Sequence, residues 1–521
     1  QVRDPEVEEC KTGIHVLLGT SSMMRRPNGI GQFNYAYSVR NCSSVNTTLT
    51  LCEKMCGRVP KDKCSLRMTW ELLTDVVIDR IELQLKNNGH PRFAQKEFID
   101  HVMSKEQWVK HFGSSAKKVR AAKAVSRTRD GELINVSECF LKSNEVLFYK
   151  EDEDGNRFLK PRIVQAVSPD LQAIASTTID LLMKHTKKFV FNKDIVYPTA
   201  SNWKVTFTIG SGLTVEKLNY WFNSCRMNLI ETSERKLMHC IVCGDDFFSM
   251  YNYRGEIYCV ENDFSKFDRT QGVHALEAEY VLSTFLLVGK RQKNLHPVFQ
   301  LIKDNSRVTP TFLDRKGGKK MKMSAPIQRF SGGPDTTWGN CVINILSVFY
   351  ELDMMEGELS FNLQKLLGFE TKVQLLQLNQ GPTFLKGWWI RGNDYNDNYY
   401  WQPLPSQVIK LGKVGTDPAV VYKTVPVMEA HNMMAKSMAL GLASVPRTYP
   451  ILGPFLKKYE LLTNRIVNPF RANEYTLDTS SRGTMKFVEP GIDTASLCEV
   501  ELDSGYIYNL LNLRYGLSRE D

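Results

Sequence analysis

The stretch from Met238 to Asn262 constrains the fold more than any other part of the chain. It reads as a β-meander: apolar MHCIVC, the turn-forming GDD, apolar FFSMY, the turn NYRG, then EIYCVEN. Apolar, aromatic and β-branched runs separated by Gly, Asp and Asn breaks predict strands joined by tight hairpins. DFSKFD, residues 263–268, follows at once. The NYRG loop sets the register. A four-residue loop over Asn252–Gly255 puts Asp263 opposite Gly244, whereas a tighter loop centred on Arg254 and Gly255 puts it opposite Asp246. Both leave Asp263 beside the turn that carries Asp245 and Asp246.

Like charges at neighbouring strand ends repel, and an apolar sheet gains no stability from them. A divalent cation reverses that sign, because hard oxygens on adjacent strand ends are the donors that Mg²⁺ or Mn²⁺ takes. Two such ions about 4 Å apart would support in-line phosphoryl transfer. Gly-Asp-Asp alone is also an ordinary hairpin turn. Its apolar flanks, with DFSKFD at hairpin distance, make it more than that. Four residues separate Asp263 from Asp268, so the second carboxylate must leave the strand and turn back over the site. Asp263 or Ser265 could also cap the helix that follows.

A second centre is SGGPDTTWGN, residues 331–340. Ser331 to Pro334 is a flexible turn into a helix, with Asp335 or Thr336 near its cap. Thr336 and Asn340 are four residues apart and share one helix face. An amide and hydroxyls beside the carboxylates could read a ribose 2′-hydroxyl. A well-capped helix behind a glycine turn would look the same.

At 521 residues the chain exceeds one compact core, and about 150 residues per domain suggests three or four lobes. With 42% hydrophobic and 24% charged residues, a disordered or fibrous chain is excluded. Lys and Arg exceed Asp and Glu by 67 − 57 = 10, which permits a polyanionic partner without demanding one. No apolar run reaches the roughly 18 residues of a spanning helix, and the N-terminal QVRDPEVEEC lacks the apolar segment of a secretory signal. The twelve cysteines are therefore read as reduced thiols of a cytosolic protein. The spacing of Cys42, Cys52, Cys56 and Cys64 fits no common zinc finger, and Cys240 and Cys243 lead into a strand, so both groups are taken as structural. Helices are expected over about Leu73–Leu85, Ser168–Thr186, Val273–Gly289 and from the second centre to about Leu352. The segment Ser114–Arg129, with Lys117, Lys118, Arg120, Lys123, Arg127 and Arg129, reads equally as a solvated helix and as a basic wall for nucleic acid. An extended basic region follows from Cys139 to Gln165.

DFSKFD, SGGPDTTWGN and CGDD resemble the A, B and C motifs of viral RNA-dependent RNA polymerases. FLKSNEVLFYKEDEDGNRFLKPRIVQ resembles the basic F motif, LLGFETKVQL the D motif, GPTFLKGWW the E motif and NNGHPRF the G motif. CGDD (243–246) precedes DFSKFD (263–268). This C-A-B order resembles the permuted polymerases of permutotetraviruses and, more distantly, birnaviruses, which typically carry Ala-Asp-Asn in place of Gly-Asp-Asp. The resemblance implies an α+β right hand of fingers, palm and thumb, with an RRM-like antiparallel palm sheet in permuted connectivity. The expected division is an N-terminal extension over 1–80, fingers over 81–200, a palm over 201–385 with a fingers insertion near 290–325, and a thumb and C-terminal region over 386–521.

Carried over by motif, Asp245 and Asp263 become the shared ligands of two Mg²⁺ or Mn²⁺ ions, with Asp246 supporting them. Asp268 and Asn340, with Ser331 or Thr336 nearby, resemble the ribose-selecting group. Arg162 and Lys160 resemble the cations that neutralise an incoming nucleoside triphosphate, with Lys142 and Lys150 as further candidates. Lys372 aligns with a lysine that protonates leaving pyrophosphate. Lys386, Trp388 and Trp389 resemble a primer grip, although core packing would equally explain the tryptophans. The implied activity is template-directed RNA synthesis on a viral genome in the host cytoplasm, with the virion a second location and RNA template, nascent RNA and nucleotides as partners. Self-nucleotidylylation for protein-primed synthesis, or a catalytically inactive RNA-binding relative, are the alternatives.

Overall fold

In the computed structural model the residues described are chiefly 64–88, 103–110, 115–134, 162–192, 195–305, 327–356, 359–410, 445–450 and 500–518, with short fragments elsewhere. After three two-residue strands come the long helices α1 (Cys64–Asn87) and α2 (Ser115–Arg129), with the short helix Lys105–Lys110 between them. Strands β1 (Glu138–Leu141) and β2 (Ile163–Ala166) lead to α3 (Pro169–Thr186). Ser168 caps α3 by accepting from the Leu171 N–H at 3.1 Å, and Pro169 fills the first turn, where no N–H is needed.

The central sheet is built from β3 (Tyr197–Pro198), β4 (Lys204–Ile209), β5 (Leu237–Cys243), β6 (Asp246–Tyr253) and β7 (Glu256–Phe264). Helix α4 (Val215–Glu231) connects β4 to β5, and Thr214 caps it. The short α5 (Phe267–Thr270) and α6 (Val273–Val288) follow β7. Strands β8 (Thr311–Leu313) and β9 (Lys320–Lys322) precede the long α7 (Thr336–Met354). Strand β10 (Thr371–Gln377) completes the six-stranded sheet in the order β10-β7-β6-β5-β4-β3. A three-stranded sheet of β11 (Thr383–Phe384), β12 (Gly387–Arg391) and β13 (Tyr399–Pro403) comes next, and α8 (Ser504–Tyr515) lies near the C-terminus.

The meander forms as its composition predicts, but the sheet is mixed rather than antiparallel. β4 and β5 run parallel, Leu237 opposite Lys204 and Val242 opposite Ile209. The cause is α4: a helical crossover returns the chain to the same end of the sheet, so the strands it joins must be parallel. Both faces of the sheet are covered. On β5, Met238, Cys240 and Val242 join the core shared with α1, α6 and α7, while Leu237, Ile241 and Cys243 pack toward α4 and the β11–β13 sheet. A strand buried on both sides needs apolar residues at every position, which explains the unbroken run LMHCIVC. Cys240 and Cys243 are buried free thiols within it.

The expected boundary at residue 80 falls inside α1, whose Trp70, Val77 and Ile81 enter the main core. Arg80 also reaches α7, donating to Asp353 at 2.7 Å, and the other Asp353 oxygen accepts from the Ala200 N–H at 2.8 Å. In α2, Arg127 pairs with the buried Asp170 and Arg129 with Glu106, whereas Lys117, Lys118, Arg120 and Lys123 are exposed. Of the six, Arg127 is tied to the core through its buried partner, whereas the Arg129–Glu106 pair lies at the surface. Strands β1 and β2 form a separate four-stranded sheet with β8 and β9, in the order β9-β8-β1-β2.

The Arg80–Asp353 pair is only 15% and 14% exposed, so removing one partner strands the other. Asp353→Ala should lower the free energy of unfolding by about 1–3 kcal/mol, read from the denaturant midpoint.

Candidate active site

Two turns assemble the acidic centre. Gly244 and Asp245 join β5 to β6, with Cys243 paired to Asp246. Gly244 takes φ +64, and a positive φ at the first of two turn residues favours glycine. Arg254 and Gly255 join β6 to β7 with φ +55 and +89, the signature of a two-residue turn of the primed type. That tight loop selects the second register, and Asp246 lies directly opposite Asp263. On the other side of β7, Asp263 faces Lys372 of β10. Paired residues across antiparallel strands project to one face with Cβ atoms about 5 Å apart. The register therefore lines up Asp246, Asp263 and Lys372 across three strands.

All three side chains, with that of Asp245, reach solvent. Protein packed around the turn nevertheless strips water from the aspartates. Desolvation, then the charges of Asp245 and Asp263, push the Asp246 carboxyl up to about 7, against the opposing pull of Lys386. Asp245 is also raised, by desolvation first and then by Asp268 and Asp263, while Arg162 works in the opposite direction. These couplings show four carboxylates within one another's field. They are not drawn into a cage: among the described residues no three His, Cys, Asp or Glu side chains converge as metal ligands. The donor chemistry, carboxylate oxygens at adjacent strand ends, fits a hard divalent ion.

Helix α7 holds the turn from below. Asn344 donates to the Gly244 carbonyl at 2.8 Å, and the Gly244 N–H donates to Cys341 Sγ at 3.2 Å. One turn earlier, Asn340 donates to Asp268 Oδ1 at 3.1 Å, so the two expected sugar-reading residues are bonded to each other. Lys266, in the left-handed region at φ +53, bends the chain back after β7 and occupies the cap position of α5. Neither Asp263 nor Ser265 caps that helix. Thr336 turns away from Asn340 and donates to the carbonyls of Phe330 and Gly333, at 2.6 and 3.0 Å. Ser331 accepts from the Gln165 N–H at 3.2 Å, and the Gly332 N–H donates to the Gln165 carbonyl at 2.9 Å. A Cβ on Gly332 would approach that carbonyl to 2.8 Å, so glycine is required there. This clasp ties β2, and the exposed Arg162 just before it, to the start of α7.

Lys150 opens the short strand Lys150–Glu151, but its side chain, like Lys142 and Lys160, lies outside the described residues. So do Cys42, Cys52, Cys56 and most of NNGHPRF. Trp388 and Trp389 are buried, Trp389 stacking on Phe222 with centroids 4.4 Å apart. The exposed Lys386 sits in a two-residue turn with Leu385, both at positive φ.

Arg329 is the residue that motif reasoning missed. Its side chain is 1% exposed and pairs with Glu279 and Asp335. Its Nε donates to Gln271 Oε1 at 2.5 Å. Asp335 precedes α7 without capping it by side chain, because the buried guanidinium takes its carboxylate. A Cβ on Gly339 would lie 2.3 Å from Arg329 Nη1, which accounts for the glycine in TTWGN. One sequence signal was available: the apolar run VHALEAEYVLSTFLLV carries Glu277 and Glu279, and a carboxylate buried by such a helix demands a partner.

Residues 215–363, the stretch from α4 through Asn340 and past α7, match the family of RNA dependent RNA polymerase. No curated protein matches the chain. Among solved structures it is similar to the birnavirus VP1–VP3 complex, at 10% identity and a TM-score of 0.40 over 71% of this chain and 48% of that one. It is also similar to the RNA polymerase VP1 from Infectious Pancreatic Necrosis Virus, at 10% identity and 0.39 over 95% and 62%. The chain spans less than two thirds of the length of either.

The raised Asp246 carboxyl has a consequence for stability without divalent ions. A carboxyl near 4 when unfolded and about 7 when folded binds more protons in the folded state between those values, so stability falls as pH rises through that window. With chelator present, Asp246→Asn should melt higher than the native chain at pH 8 and gain little at pH 4, as thermal denaturation at the two pH values would show.

Proposed function

We propose that the chain is a template-directed RNA-dependent RNA polymerase of the permuted, permutotetravirus-like type. The observation that carries this reading is the register of Asp246 against Asp263, with Asp245 on the intervening turn and the Asp268–Asn340 pair beside it. The family match over residues 215–363 contains every one of these residues. Gly-Asp-Asp, rather than Ala-Asp-Asn, supports the permutotetravirus type. In this reading residues 201–385, which carry β4–β7, α7 and β10, form the palm, residues 81–200 with an insertion near 290–325 the fingers, and residues 386–521 the thumb and C-terminal region. Pairing of Thr311 and Phe312 with Glu138 and Cys139 supports the insertion joining the fingers.

Asp245 and Asp263, supported by Asp246, would hold a pair of Mg²⁺ or Mn²⁺ ions. Those ions would supply activation of the primer 3′-hydroxyl and charge neutralisation on the triphosphate. The 3′-oxygen attacks the α-phosphorus and the bond to pyrophosphate breaks. Asp268 and Asn340 bind the ribose of the incoming nucleotide. Arg162 brings positive charge to the triphosphate, and Lys372, opposite Asp263, donates a proton to departing pyrophosphate. The substrates are nucleoside triphosphates and an RNA template, used in the host cytoplasm.

Primer extension on homopolymeric RNA tests the reading, with ribo- and deoxyribonucleotides compared. Ribonucleotide incorporation should require Mg²⁺ or Mn²⁺ and stop with chelator. Asp245→Ala and Asp263→Ala should each lower it about a thousandfold or more, as loss of several kcal/mol of charge stabilisation implies, while the chains remain folded. Undiminished synthesis by either variant would end the assignment.

A further inference from the structure

We propose that Gln271 and Arg329 are positioning residues that fix the amide orientation of Asn340, and through it the acceptor state of Asp268, so that they govern discrimination between ribose and deoxyribose. The selectivity half of this inference rests on the polymerase reading above.

The argument is one of donor and acceptor direction. A guanidinium carries only donors. Arg329 spends Nη1 and Nη2 on Asp335 and Glu279, which leaves its Nε to meet Gln271. Gln271 is fully buried and must answer that N–H with its oxygen. Its amide nitrogen is then committed to the other side, where Nε2 donates to Asn340 Oδ1 at 2.8 Å. Asn340 has its oxygen occupied, so its nitrogen turns to Asp268 and donates to Oδ1 at 3.1 Å. Each link has one allowed direction. Flipping either amide would set N–H against N–H on one side and oxygen against oxygen on the other, and at the buried Arg329–Gln271 and Gln271–Asn340 links water cannot repair the mismatch. The Arg329 N–H also donates to the Asp268 carbonyl at 3.2 Å, so one residue pins both backbone and side chain of the sugar-reading carboxylate.

The direction therefore originates in a buried ion cluster behind α7, where Arg329 and Glu279 lie outside the A, B and C motifs and Asp335 lies within the second centre. Glu279 and Asp335 hold the guanidinium in place, and Gly339 leaves the room through which it reaches Gln271. Asp268 is held as an acceptor for a sugar hydroxyl. A deoxyribose lacks that hydroxyl and leaves the acceptor unmet.

Two variants of the full-length chain separate direction from packing. Gln271→Glu still accepts from Arg329 but has no N–H for Asn340, which must flip and turn its oxygen toward Asp268. Gln271→Met keeps the volume and transmits nothing. In primer extension, the kcat/KM ratio of ribo- to deoxyribonucleotide should fall about tenfold or more in both, as loss of a hydrogen bond to a charged group implies. A melting-temperature cycle gives a readout independent of synthesis. In the Gln271→Glu background, Asp268→Asn offers an N–H to the flipped Asn340 and closes the relay in reverse, so it should raise the melting temperature more there than in the native chain. An unchanged ratio in active variants, or additive melting temperatures, would overturn the inference. A native chain that incorporates no nucleotide overturns the polymerase reading and sugar discrimination with it, while the melting cycle still decides the direction of the relay.

Discussion

Everything at the centre of this molecule follows from holding Asp246 against Asp263 despite their mutual repulsion. A sheet edge in water would relieve that strain by fraying or slipping. Here the strands that carry the two aspartates lie inside a six-stranded sheet with apolar layers on both faces. A slip of one residue would turn Phe247, Phe248 and their neighbours to the wrong layer. The hydrophobic register thus imposes the electrostatic arrangement. Desolvation first, and the neighbouring carboxylates second, raise the carboxyls of Asp245 and Asp246.

Helix α7 is the second constraint. Over little more than one turn it bonds Asp268 through Asn340 and the Gly244 turn through Cys341 and Asn344. Its glycine at 339 admits Arg329, and the turn before it clasps β2. A single rigid element therefore positions the acidic turn, the Asp268–Asn340 pair and the segment that follows Arg162. It is buried along almost its whole length, which makes it a firm reference for groups that must stay aligned.

The motif order has a simple physical basis in the sheet. β6 and β7 are antiparallel neighbours joined through Arg254 and Gly255, so Asp246 at the start of one strand lies beside Asp263 near the end of the other. Antiparallel strands accept so short a link, whereas the parallel β4 and β5 need α4. Connectivity can change in this way while the spatial neighbours stay the same.

The local elements were legible in the sequence because their causes are local. Turn composition and alternating apolar runs located the meander, and apolar spacing located α3, α6 and α7 to within a residue or two. Two registers remained open for Asp263, since both loops suit NYRG and only left-handed Arg254 selects one. The parallel β4–β5 pair, Lys372 opposite Asp263, and the relay from Arg329 to Asp268 were out of reach. Their partners are distant in sequence, and their geometry depends on which helix covers which face of the sheet. The chain by itself determined that Asp263 lies beside the turn of Asp245 and Asp246, because a hairpin is a short-range object. Only the tertiary structure decided what holds and orients them, because a buried guanidinium acquires its direction from groups that folding alone brings to it.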